Sequence, residues 1–213
     1  MIAYWLLLLV TAIFAYLFGS MDTLVLASNF VFHRNLRRLG DNRTWISNFR
    51  RLFGVAGFVK LLAVELVKDL LPILLGSLLL GIKGHADAGR AFAGFVLVLG
   101  RLWPALYRFR GSHAGLALAV AAFAVDASVG AAVTVVLAAV TAVSRMLSLG
   151  STAAAIVCML VAVLVIDDSL LHRLLLMTAA LVLIRHIPAI LRIFHGQEPR
   201  FSLEEDITYQ LDE

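Results

Sequence analysis

Cysteine is nearly absent from this 213-residue chain. The single Cys158 lies inside an apolar run, so no disulfide can close within the chain and packing is its expected role. Charge is scarce as well: 15% of the residues are Asp, Glu, Lys or Arg, and none of these lies between Met1 and Met21. Soluble domains are ~25% charged and ~45–50% apolar. At 62% apolar residues and a mean hydropathy of +0.95, the chain reads as an integral membrane protein. It has no basic domain. Its net charge of +4, from 18 basic and 14 acidic side chains, is spread between apolar spans, which argues against a nucleic-acid partner. No metal-ligand spacing occurs, so neither a metal nor another cofactor is expected. No basic stretch precedes the first apolar run and no small-residue cleavage site follows it, so that run is expected to be a retained helix.

What is abundant is the apolar span. Seven fit the pattern, at about 2–20, 52–82, 90–107, 114–125, 127–143, 150–166 and 169–185. The connections between them are tight, which favours antiparallel neighbours. The expected fold is an all-α bundle of about seven transmembrane helices, with loops at the cytoplasmic face forming a site. Residues 1–197 read as one polytopic domain and residues 198–213 as a short acidic cytoplasmic tail.

Directly after the first span, six arginines crowd into eighteen residues: Arg34, Arg37, Arg38, Arg43, Arg50 and Arg51. Such a block holds a loop in the cytoplasm. With the N-terminus outside, the inner loops also carry Arg108, Arg110, Arg145, Arg185, Arg192 and Arg200, against Lys83, Arg90 and Arg173 outside. This orientation places the C-terminus in the cytoplasm. A guanidinium cluster at a membrane surface is a receptor for phosphate.

The second span is long, about 46 Å as a continuous helix at ~1.5 Å per residue, and it places Glu65, Lys68 and Asp69 within the inner half of the membrane. Glu65 and Lys68 share a face, and Pro72 predicts a kink there. Charges within a span point to a cavity or pathway, or else to an ion-paired strut between helices. Asp126, Asp167 and Asp168 read as solvated turn residues on the outer side, and Trp5 and Trp103 as interfacial or packing aromatics.

Four polar groups fall where spans meet the cytoplasm: residues 40–54, 100–113, 144–151 and 185–198. They combine arginines and histidines with hydroxyl residues and glycines whose backbone N–H groups can approach a ligand, the components of an anion cradle.

The same segments resemble the PlsY-type membrane glycerol-3-phosphate acyltransferases, which use acyl phosphate as donor. Tyr16-Leu-Phe-Gly-Ser20 resembles the family's Y-L-x-G-S. Asn35-Leu-Arg37 followed by Gly40 resembles D-I-R-x-x-G, and Asn48, Arg51 and Gly54 fall on N-x-x-R-x-x-G. Glu65 with Lys68 resembles D-x-x-K. Gly100 to Gly111 resembles G-H-x-F-P-x-F-L-x-F-K-G. Ser144-Arg145 and Ser148-Leu-Gly-Ser151 follow S-R-y-x-S-L-G-S. Arg185, His186, Ile190, Arg192, Gly196 and Glu198 follow R-H-x-x-N-I-x-R-L-L-x-G-x-E. The chain departs from the family at its phosphate loops. The first carries Asp41, Asn42, Arg43 and Trp45 in place of Ser, Gly, Asn and Gly. In the second, Ser112 and Ala114 replace glycines and His113 replaces lysine. Arg101 stands for a histidine and Ala189 for an asparagine.

The resemblance implies transfer of an acyl group from acyl phosphate to glycerol 3-phosphate, giving lysophosphatidic acid for phospholipid synthesis. Its implied partners are those two substrates, or a related lipid phosphate, and membrane lipid. His186, Arg51 and His113 are the implied catalytic residues. Gly40, Arg43, Ser47, Asn48, Lys68, Arg110, Gly111, Ser112, Ser148, Ser151, Gly196 and Glu198 are the implied substrate- and phosphate-binding residues. His186 is read either as a base or as a cap on the last helix, and His113 as a cation only when protonated. Two other readings stay open. One is a non-catalytic paralogue binding lipid phosphate or acting as a regulatory membrane subunit. The other is a small transporter, suggested by Glu65, Lys68 and Pro72, although no inverted repeat of the halves is apparent.

Overall fold

A computed structural model describes residues 2–27, 45–109, 111, 113–198 and 200, with the backbone alone described at 24, 25, 45–53 and 107. The described residues form helices and connecting turns, with no strand among them. Eight α-helices follow in chain order: α1 (Ile2–Ser20), α2 (Thr23–Ala27), α3 (Trp45–Gly81), α4 (Ala86–Leu102), α5 (Gly115–Val125), α6 (Ala127–Ser144), α7 (Leu147–Val165) and α8 (Ser169–Phe194). Seven of them match the seven expected spans; the short α2 is additional.

Helices α1, α6, α7 and α8 are long and apolar enough to cross a bilayer, with mean hydropathy between 2.0 and 2.3. Helix α3 has the length but carries Lys60, Glu65, Lys68 and Asp69. Helix α5, at 11 residues, rises only ~16 Å and is buried along most of its length.

The packing is inside-out relative to a soluble protein. Small residues lie within: Ala15, Ala93, Ala122, Ala154, Ala155 and Ala179 are fully buried. Large apolar residues face outward, among them Leu78 at 70% and Leu164 at 83% exposure. Without water to drive helices together, close backbone approach does so, and this requires small residues at the contacts. Helix α4 is central and packs on α1, α3, α5 and α8. Gly19 lies against the Leu97 carbonyl and Gly100 against the Tyr16 backbone, so a side chain at either position would collide with main chain. Two hydrogen bonds tie the same junction: Tyr16 Oη donates to the Trp103 carbonyl at 2.7 Å and Ser20 Oγ to the Gly100 carbonyl at 3.4 Å.

The helix ends follow local chemistry. Asp126 caps α6, accepting from Ser128 N at 2.8 Å and Val129 N at 3.1 Å, and Asp168 caps α8 in the same way. These acids therefore terminate helices rather than merely solvate turns. The hydrogen bonds, that from the Ser128 side chain foremost, hold the Asp126 carboxyl below the usual carboxylate range.

The kink expected at Pro72 is not where α3 breaks. The helix runs through Pro72, and its non-helical residue is Gly54 at φ 62° and ψ −168°, a region essentially confined to glycine. The break separates residues 45–53 from the spanning part. Helix α8 continues nine residues beyond the expected end and closes in a Schellman motif: Gln197 N donates to Arg192 O at 2.8 Å and Gly196 N to Ile193 O at 3.0 Å, with Gly196 at φ 67°.

Candidate active site

The C-termini of α4, α6 and α8 and the N-termini of α5 and α7 gather at one end of the bundle, where Arg108, Arg145, Arg185 and Arg192 also stand. The left-handed Gly196 turn folds the chain back so that Glu198 enters the bundle and is 8% exposed. Its Oε2 accepts from Arg192 Nε at 2.8 Å. Its Oε1 accepts from Ser148 Oγ in a very short bond. His113 Nε2 lies 2.8 Å from the same Ser148 oxygen. A carboxylate only accepts, so Ser148 gives its proton to Glu198, and His113 then donates from Nε2. The result is a continuous chain from His113 through Ser148 and Glu198 to Arg192.

The His113 and His186 rings lie 5.8 Å apart. His186 is 4% exposed, and its Nδ1 is 2.7 Å from the Val182 carbonyl. That carbonyl takes the Nδ1 proton, which leaves Nε2 of the neutral ring with a lone pair. His186 sits eight residues before the end of α8, so it does not cap the helix. The His113 ring is pushed down to about 4, by burial first and then by electrostatic repulsion from protonation of neighbouring His186, with Glu198 opposing. At neutral pH it is therefore an uncharged hydrogen-bond donor and not a cation.

Beside this chain opens a cavity of about 540 Å³. Val55, Phe58, Leu61 and Leu62 of α3 form one wall and Leu137 and Ala138 of α6 another, while Glu65, Arg101, His113 and Ser151 form its polar end. The hydroxyl of Thr141, on the α6 wall, is buried without a hydrogen-bond partner.

The structure thus brings His113, His186, Ser148, Ser151 and Glu198 to one place. Gly111 lies nearby, pressed against the carbonyls of Arg101 and Leu102 with no room for a side chain. Gly196 serves as the turn that delivers Glu198. Lys68 is placed apart. It is 4% exposed, paired with Asp69 at 3.2 Å and Glu65 at 3.6 Å, and donates to the Met21 carbonyl at 3.3 Å. This seals it into the α1–α3 junction, off the cavity. Gly40, Arg43, Arg110 and Ser112, and the side chains of Ser47, Asn48 and Arg51, lie outside the described residues. Among the described residues no cluster of three or more His, Cys, Asp or Glu could hold a metal.

Arg101, Arg192 and Thr141 were not among the expected site residues. Arg192 had a signal, because it stands six residues before Glu198 across a glycine that closes the helix. Arg101 had a weaker one, a cation near the end of an apolar span. Thr141 had none that separates it from other span hydroxyls.

These features define a polytopic helical membrane protein with an apolar cavity that ends in imidazole, hydroxyl and guanidinium groups. Residues 9–196 match the glycerol-3-phosphate acyltransferase family, and the chain belongs to it. A glycerol-3-phosphate acyltransferase of Thermoanaerobacter sp. (strain X514) is 24% identical over 92% of this chain and 97% of its own length. That of Staphylococcus haemolyticus (strain JCSC1435) is 25% identical over 92% and 98%. The crystal structure of PlsY (YgiH), an integral membrane glycerol 3-phosphate acyltransferase, in its glycerol 3-phosphate form superposes with a TM-score of 0.71 at 24% identity, covering 97% of this chain and 99% of that one. Its lysophosphatidic acid form gives 0.71 at 25% identity, covering 92% and 96%.

Proposed function

We propose that this protein transfers an acyl group from acyl phosphate to glycerol 3-phosphate at the cytoplasmic face of a bacterial membrane, with its N-terminus outside. The carrying observation is the juxtaposition of an apolar cavity of about 540 Å³ with the His113–Ser148–Glu198–Arg192 chain. An acyl tail fits the apolar part, and a reacting carbonyl then lies at the polar end. The excess of arginines at that end supports a cytoplasmic orientation.

In the proposed reaction the 1-hydroxyl of glycerol 3-phosphate attacks the acyl carbonyl. A new ester C–O bond forms, the C–O bond to phosphate breaks, and phosphate leaves with the electron pair. His186 Nε2, holding a lone pair, accepts the hydroxyl proton as general base. The His113–Ser148–Glu198–Arg192 network fixes the polar end, and Ser148 Oγ–H or His113 Nε2–H reaches the phosphate groups and the developing oxyanion when the ligand displaces its present acceptor. The family resemblance implies Arg51 as a further catalytic residue, and Gly40, Arg43, Ser47, Asn48, Arg110 and Ser112 as substrate- and phosphate-binding residues. Phosphate is already a good leaving group, so positioning and charge are the main demands on the protein. Membrane lipid would receive the lysophosphatidic acid product.

Purified full-length protein given acyl phosphate and labelled glycerol 3-phosphate should form labelled lysophosphatidic acid between pH 6 and 9. His186→Asn should lower kcat by about 10²-fold or more, and Arg51→Ala should abolish turnover. Absence of product throughout that pH range would defeat the proposal and leave a lipid-phosphate-binding protein of the same fold.

A further inference from the structure

Arg101 is the one permanent cation among the described residues that line the cavity. It stands in the last turn of α4, and its side chain is 11% exposed. Its guanidinium is paired very closely with Glu65 of α3, which also lines the cavity. The Asp22 carboxylate attracts it as well. Glu65 has a second cation within reach, because Lys68 Nζ lies 3.6 Å from the same carboxylate oxygen. Glu65 is therefore shared between a cation that faces the cavity and one sealed behind it.

A buried ion pair at the end of an apolar cavity is weak evidence for stability, since desolvating both charges offsets much of their attraction. It does hold a cation ready for a competing anion. A ligand that enters here meets apolar walls along the cavity and a guanidinium at its end, and the ligand complementary to both is an amphiphile with a phosphate head. Glycerol 3-phosphate, which has no chain, gains no contact with the apolar walls, so nothing there draws its phosphate to Arg101 in preference to another cation. His113, the other basic group lining the cavity, is uncharged at neutral pH and leaves Arg101 as the cation for such a head.

We propose that Arg101 seats the phosphate head of the chain-bearing ligand, and that Glu65 occupies Arg101 until that phosphate displaces it and Lys68 retains the released carboxylate. This rests on the acyltransferase reading for its choice of ligand, but not on turnover. The acyl-phosphate donor and the lysophosphatidic acid product share the same chemistry, an alkyl chain bearing a phosphate.

Calorimetric titration of the full chain in detergent tests the proposal with three probes: dodecyl phosphate, dodecanoyl lysophosphatidic acid and glycerol 3-phosphate. Arg101→Gln should weaken dodecyl phosphate tenfold or more, as expected for loss of a charge-assisted pair, and should leave glycerol 3-phosphate within twofold. Glu65→Gln should tighten dodecyl phosphate several-fold, because it removes the competitor. A purely structural ion pair predicts no such gain. Arg101→Gln leaves Glu65 with less compensation. The double variant Arg101→Gln/Glu65→Gln removes both charges, keeps the test readable if the single variant fails to fold, and should bind dodecyl phosphate as weakly as Arg101→Gln. Weakening of the alkyl phosphate alone, or together with lysophosphatidic acid, supports the seat; the second pattern means that the product shares it. Unchanged alkyl phosphate binding, weakening of lysophosphatidic acid alone, or equal weakening of glycerol 3-phosphate would overturn it. Binding is read without catalysis, so an inactive protein that shows the expected pattern would refute the acyltransfer reading and leave the Arg101 seat standing.

Discussion

His113 and His186 are neighbouring imidazoles with rings 5.8 Å apart, yet their surroundings divide their tasks. His113 is tied through Nε2 to Ser148, whereas His186 commits Nδ1 to its own helix, a bond that leaves the Nε2 lone pair uncommitted. The depressed His113 value, about 4 against 6.5, has a consequence for stability. The folded protein prefers the neutral ring, so this contribution is complete above about pH 6.5 and is lost as pH falls from there through about 4. Thermal unfolding measured from pH 7 to pH 4 should show a steeper loss for the native chain than for His113→Gln. Equal slopes would mean that His113 is not held neutral by the fold. At this scale the sequence was informative about polar residues at span ends, because Ser148, His113, His186 and Glu198 do converge. It was uninformative about Arg101, whose side chain could have pointed to water. It gave no way to place Lys68, because no local signal distinguishes a charge facing a cavity from one sealed between helices.

Helices α5 and α6 were legible to within a residue, since Gly115 and Asp126 punctuate the apolar runs, whereas α7 starts at Leu147, three residues before its expected span. Helix α8 was cut short because Arg185 and His186 look like an exit from the membrane, whereas the helix continues to its glycine stop. In α3 the position of the break follows from backbone rather than side-chain chemistry. Proline removes one hydrogen bond and can still be carried within a long helix, whereas Gly54 adopts dihedrals that other residues avoid. Gly54→Ala should therefore destabilise the fold by about 1–3 kcal/mol and lower turnover by displacing residues 45–53. Thermal unfolding and kcat measured together check this. Unchanged values for both would show that the break tolerates a side chain.

Across the whole molecule, composition indicated a membrane bundle, and the seven-span pattern supplied the order of its helices. The cavity stayed hidden in the sequence because its apolar lining has the same composition as a lipid-facing surface: Leu61 and Leu137 read no differently from Leu78. Which spans touch is decided by small residues in register, and α1 and α4 meet where Gly19 and Gly100 let main chain reach main chain. Gly100→Val should push these helices apart and destabilise the bundle by about 1–3 kcal/mol, read as a lowered midpoint of thermal unfolding in detergent. An unchanged midpoint would mean that the α1–α4 contact adjusts freely.

The cavity also reaches the outer surface of the bundle, since Val55 of α3 is 53% exposed and Ala142 of α6 is exposed at its rim. With a doorway on that flank, a lipid-like reactant can arrive sideways, sliding within its leaflet without crossing water. Supply would then follow the reactant's mole fraction in the surrounding sheet of lipid, and diluting that sheet with inert lipid at constant bulk dose would starve the enzyme.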